Sequence, residues 1–317
     1  MIKSILYVEV PGKKSLPDAS TLRIAATGAE TVGVTDVQSA IQVINTIPSI
    51  SLLISNTADL HLFTKFKNTH PNAKSLLVTD TTMDLYSKAL DGKEDVLLDH
   101  VIANRSPELW TTNELRVTIQ KILLEDIFGL EKYFAPGTPL QTFTVKGSKD
   151  REEYYALAMK FAEENRLGQY MAKLVFGITE EMLMNAIYDA PVAGGRSHYS
   201  DLPRTAPVEL LADEYSTLNF GCDGNIFGIS VTDPFGALTK EKLFQYLKKV
   251  LRRGDSNNLI DTKKGGAGLG LFKILYSSHS LIVNITPQVS TQFIALIDIH
   301  HQVRDFSKMT RSINFFE

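Results

Sequence analysis

Lys263 to Leu275 reads KKGGAGLGLFKIL, four glycines within six residues running straight into an apolar segment with helical spacing. Glycine costs backbone entropy, so a cluster at a helix entrance marks a chain that turns sharply or lies close against something. Phosphate is the usual partner, because helix N-termini and oriented amides attract it. Two common phosphate loops do not match. A P-loop needs Gly, four residues, Gly-Lys and then Ser or Thr, which no stretch offers. A dinucleotide fingerprint needs its third glycine where Leu271 stands. The plain alternative is a helix entry that tolerates glycine, and the rest of the chain has to decide.

The 317 residues suffice for two domains, each able to bury a core. Hydrophobic residues at 44% and charged residues at 22% are the proportions of a soluble globular protein. A net charge of -3 argues against a general nucleic-acid or anionic-membrane partner. Cys222 is the sole cysteine, which excludes an intrachain disulfide and a cysteine-based zinc cage. The opening MIKSILYVEV lacks the pattern of a signal peptide, and no run approaches the roughly 18 apolar residues that span a bilayer. A cytoplasmic protein is expected.

Over residues 1–125 short apolar runs alternate with helix-like stretches. SILYVEV, ETVGV, SLLISN, AKSLLVTD and HVIAN are the strand candidates; DVQSAIQVINTI, DLHLFTKFKNTH, MDLYSKALD and NELRVTIQKILLEDIFGLEKYF are the helices. Five strands with interleaved helices predict a doubly wound parallel sheet. Residues 126–150, rich in Pro and Gly around Pro136, Gly137, Pro139 and Gly147, are expected to be a linker. From 151 to 317 two long helical patterns broken near Gly168 or Gly177 precede a hairpin at Asp223-Gly224, a helix at KEKLFQYLKKVLRRG, the glycine run, another helix and two strands. Helices and antiparallel strands in separate runs predict an α+β two-layer sandwich.

Three stretches of this second part stand in a telling order: EEMLMNA on a helix, VTDPFGAL after a strand, and GGAGLGL before a helix. Together they resemble the ATP-binding fold of histidine kinases, gyrase-type ATPases, heat-shock chaperones and anti-sigma serine kinases. The resemblance implies that Asn185 ligates magnesium on the nucleotide phosphates and that Glu181, one helical turn earlier, orients or deprotonates the attacking nucleophile. It implies that Asp233 accepts a hydrogen bond from the adenine amino group. The glycines that follow in the family are replaced by Phe235 and Ala237, with Gly236 between them as a shifted substitute. Pro234 and Phe235 are then candidates to narrow the base pocket. Gly266, Gly268 and Gly270 reproduce the family's G-x-G-L-G-L with Leu269 and Leu271, so their amides are expected to wrap a triphosphate, with Lys263 and Lys264 either on a lid or simply solvated.

The first part resembles the receiver domain of response regulators, whose chemistry needs an acidic pair, a phosphorylatable Asp, a Ser or Thr, and a Lys. Here those places hold Glu9-Val10, Ser55-Asn56, Thr79 and Asn104-Arg105, while Asp59 and Asp80 are out of position. The expectation is a pseudo-receiver for docking or dimerisation, the bland alternative being any flavodoxin-like domain.

Residues 126–180 contain no histidine, so a histidine autokinase is not expected. The motif spacing looks most like the anti-sigma serine kinases. The implied function is a bacterial signalling regulator that binds ATP and Mg2+ and acts on a protein partner as a partner-switching serine/threonine kinase or an ATPase switch. The competing expectation is a non-catalytic scaffold in which both halves have shed their chemistry. The apolar stripe in LRVTIQKILLEDIFGL either pairs with a second copy, giving a homodimer, or covers the receiver sheet, the commoner use.

Overall fold

The computed structural model describes residues 3–13, 25–26, 28–81, 98–105, 108–200, 202–251, 269–300 and 309–317, without the side chains of 246–251 and 269. Two compact units emerge, Met1–Ile127 with Lys308–Phe316, and Phe128–Ser307 with Glu317.

The first unit holds β1 (Ser4–Val8), β2 (Glu30–Val34), α1 (Val37–Thr46), β3 (Leu52–Ser55), α2 (Leu60–Thr69), β4 (Lys74–Thr79), β5 (His100–Ala103) and α3 (Glu108–Leu124). The expected helix MDLYSKALD lies outside the described residues. The strands run parallel in the order β2-β1-β3-β4-β5, the flavodoxin-like doubly wound order that receivers share. Every residue of β3 and β5 is buried, as parallel strands covered on both faces require. Asp36 and Asp59 cap α1 and α2, accepting from the Ser39 and Leu62 amides at 2.8 and 2.9 Å. Leu115, Ile119 and Leu123, four residues apart on α3, join the core formed by Ile5, Leu52, Ile54, Leu76, Val78 and Ile102. The apolar stripe of α3 therefore covers the sheet.

The second unit contains β6 (Leu140–Val145), α4 (Arg151–Glu164), α5 (Gln169–Met184), a π-turn at Asn185–Asp189, α6 (Ala190–Ala193), β7 (Ser216–Cys222), β8 (Ile226–Asp233), α7 (Lys240–Leu251), α8 (Leu269–Tyr276), β9 (Ser280–Thr286) and β10 (Ser290–Asp298). Its strands are antiparallel in the order β9-β10-β8-β7-β6. Asp223 builds the expected hairpin by accepting from the Asn225 and Ile226 amides at 2.9 and 2.8 Å. Phe161 of α4 packs on Phe220 and Phe227, fixing that helix to the sheet. The helical break falls at Gly168, while Gly177 stays inside α5.

Two expectations on chain organisation differ from what is found. Residues 126–150 are not merely a linker: Ala135 to Thr138 form a turn, β6 follows it to pair with β7, and Leu130, Tyr133 and Phe134 are buried. The Pro and Gly residues mark that turn, and the alternating β-branched and aromatic run after it is a strand. The part after 151 does not belong wholly to one unit either. A further strand, β11 (Ser312–Phe316), lies antiparallel on β5 in the first unit, pairing Ile313 with Val101.

Candidate functional site

The candidate site is built in the second unit from the end of α5 upward. Met171, Val175, Ile178 and Met182 bury one stripe of α5, which leaves Glu180 and Glu181 toward its margin. At Asn185 the backbone widens into the π-turn, a distortion that often re-aims side chains at functional sites. Asn185 and Asp189 both line a cavity of about 450 Å³, within the roughly 300–1,000 Å³ of small-ligand sites. Asp189 is paired with Arg204, which lines the cavity as well, and Lys242 of α7 brings a second cation to its wall.

Asp233, the last residue of β8, reaches the same cavity from the sheet, opposite Thr291 of β10. It is only 5% exposed. Burial pushes its carboxyl up to about 7, against the opposing pull of the Phe235 and Gly236 amides, the former at 3.0 Å. Gly236 turns the chain at φ +57, and a Cβ there would stand 2.2 Å from the Thr286 carbonyl oxygen, so no other residue fits. The Phe235 ring does not narrow the cavity. It is buried against Gly194, whose added Cβ would meet ring atom Cδ1 at 2.5 Å, and Ala237 and Leu238 form the wall instead.

Gly266, Gly268, Lys263 and Lys264 lie outside the described residues, and of Leu269 only the backbone at the start of α8 is described. Gly270, in the first turn of α8, stands directly against α5. A Cβ at this position would lie 2.5 Å from Glu181 Oε2 and 3.7 Å from Asn185 Oδ1. Glu181, Asn185 and Gly270 are thus brought together, and Asn185, Asp233 and Leu271 meet at the cavity; Glu181 does not line it.

Lys273 is the residue that sequence reasoning missed. Its Nζ donates to Glu180 Oε2 and Glu181 Oε1, both at 3.0 Å. Burial alone would lower this ammonium, but the two glutamates outweigh it and raise its pKa. The available signal was a lone cation in the apolar helix LGLFKILY, facing an acidic pair on another element. Among the described residues no group of three or more His, Cys, Asp or Glu side chains could hold a metal ion.

In the first unit the place at the end of β3 where the resemblance would put a phosphorylatable Asp holds Ser55-Asn56, an alcohol and an amide. Asn56 Oδ1 accepts from the Val10 amide at 2.8 Å and Nδ2 donates to the Val10 carbonyl at 3.1 Å, so the side chain splints the loop after β1. Glu9 accepts from the Tyr7 hydroxyl at 3.0 Å, and Arg105 is paired with Glu114 at 3.2 Å. Asp59 is a helix cap, and the Asp80 carbonyl accepts from Thr310 at 2.8 Å.

No protein-family model matches the sequence, and no curated protein matches it. Among solved structures, the receiver domain of NtrC4 from Aquifex aeolicus is 14% identical, over 39% of this chain and 98% of its own, with a TM-score of 0.29. The SiaB-SiaC complex from Pseudomonas aeruginosa gives 15% identity over 50% and 89%, with a TM-score of 0.31. The Salmonella typhimurium RcsB response regulator gives 11% identity over 55% and 86%, with a TM-score of 0.29. Among the described residues no helix is long and apolar enough to cross a membrane.

Proposed function

We propose that the second unit binds magnesium-ATP in the cavity between the π-turn and the end of β8, and that the protein is a signalling regulator that phosphorylates a serine or threonine on a protein partner. The single observation that carries this is the approach of Gly270 to Glu181 and Asn185, beside a cavity walled by the buried Asp233. Residues from three stretches distant in sequence, each resembling a motif of one family, come together at the end of α5 and beside the cavity, which supports this reading.

Bound there, magnesium-ATP would supply the phosphoryl group and the charge neutralisation that its transfer requires. The chain's own residues divide the remaining work. Asp233 would take the adenine amino group, and a carboxylate selects that donor over the carbonyl of guanine. Asn185 would give a hard oxygen to the metal, a role that suits magnesium because the ion keeps several waters and phosphate oxygens as its other ligands. Glu181 would accept the proton of the attacking hydroxyl. Arg204 and Lys242 add positive charge to the cavity wall. The first unit would serve as a docking module, since its acceptor position holds an amide.

Calorimetric titration with magnesium-ATP and a non-hydrolysable analogue tests this. Micromolar binding is expected, with Asp233→Asn and Asn185→Ala each weakening it at least tenfold. No heat at millimolar nucleotide would leave the second reading, a scaffold with degenerate chemistry, which the Asn56 amide in the first unit favours.

A further inference from the structure

We infer that Lys273 is a positioning residue for Glu181, tying the helix that follows the glycine run to the helix that carries the proton acceptor; this rests on the magnesium-ATP function proposed above. The geometry is specific on both sides of the contact. Lys273 holds Glu181 by Oε1 at 3.0 Å, while Oε2 faces the Gly270 backbone. One oxygen is fixed by the ammonium, and the other is held at the start of the helix that follows the glycine run. Glu180, bound to the same ammonium at 3.0 Å, limits where that ammonium can sit.

Space for the contact is made by a glycine on each helix. Gly270 removes the side chain that would strike Glu181. Gly177, in the middle of α5, lets the Lys273 stem cross that helix: a Cβ there would be 3.3 Å from Cε and 3.9 Å from Nζ. A glycine inside a helix destabilises it relative to alanine, so its position under this stem has a reason in packing rather than in helix stability. Nor is the ion pair explained by stability. Lys273 and Glu180 are 44% and 39% exposed, and pairs of that kind contribute little. What the bridge does achieve is to remove rotamer freedom from Glu181, which is only 17% exposed. Fixing a reacting group in this way acts on turnover more than on ligand affinity.

The test uses the full chain with calorimetry for magnesium-ATP affinity and phosphate release for turnover. Lys273→Met is expected to keep the Kd within about threefold of the parent and to lower kcat ten- to a hundredfold. Lys273→Arg is expected to recover most of that loss, since the donor returns. Gly177→Ala supplies a second route that favours the helix yet crowds the stem, and is expected to lower kcat two- to fivefold while raising the melting temperature. Turnover by Lys273→Met at the parental rate overturns the inference, as does a joint loss of affinity and kcat that Arg does not rescue. Absence of nucleotide binding by the parent overturns both the role of Lys273 and the function on which it rests.

Discussion

Asp233 pits burial against charge. Its carboxyl titrates near 7 in the folded chain, well above the ordinary 3.8, because burial penalises the anion. A raised carboxyl stabilises the fold fully below its unfolded pKa and loses that contribution as pH rises through the folded value. The ligand-free protein should therefore lose stability between about pH 4 and pH 7. Asp233→Asn should remove the dependence, gaining roughly 1–4 kcal/mol at pH 8 and little at pH 4 in urea titrations. Adenine nucleotide affinity in the parent should move the other way, rising from pH 6 to pH 8 as the acceptor ionises. Asn56 makes a contrasting case. Asn56→Asp keeps an acceptor for the Val10 amide but sets an oxygen against the Val10 carbonyl, so a cost of about 1–3 kcal/mol is expected. It should gain no phosphoryl group from acetyl phosphate by mass spectrometry, because Glu9 offers one acid where a receiver needs a pair. Both residues were legible from sequence, since strand ends are easily counted. Lys273 was not, because its partner lies 92 residues away on another helix and only packing joins them.

At the scale of elements, strands buried on both faces and capped helices were readable because their signals are local. The apolar spacing of DVQSAIQVINTI and DLHLFTKFKNTH announced α1 and α2, and their first residues, Asp36 and Asp59, are the caps. The edges of the sheets were harder. β6 follows a Pro and Gly turn that reads as a linker, and β11 is a short run after the stretch 301–308, with no periodicity to announce it. What secures β11 is a buried carboxylate. Glu114 of α3, 2% exposed, accepts from Ser312 at 2.8 Å, Asn314 at 3.0 Å and Arg105 at 3.2 Å. Removing one partner of a buried charge leaves the other uncompensated. Glu114→Ala should cost about 3–5 kcal/mol by denaturant unfolding, and limited proteolysis should then cut near residue 309 sooner than in the parent.

At the scale of the whole chain, the first unit is closed by a segment that arrives after the second has been written. A fragment 1–127 should accordingly be less stable than the same fragment extended by a flexible linker and residues 309–317, which supply Ser312 and Asn314 to Glu114. Thermal melting of the two proteins decides it, and equal midpoints would mean that β11 is dispensable. The two-part organisation was legible in the shift from alternating strand and helix to separate runs of each, whereas this return of the chain could not be read from any local pattern. It also bears on synthesis. A ribosome adding about 5–20 residues per second needs roughly 10 to 35 s to pass from residue 127 to residue 309, and for that interval the β5 edge stands without its neighbouring strand. An open edge of this kind is where nascent chains pair wrongly, so chaperone demand should peak in the second half of translation rather than at its end.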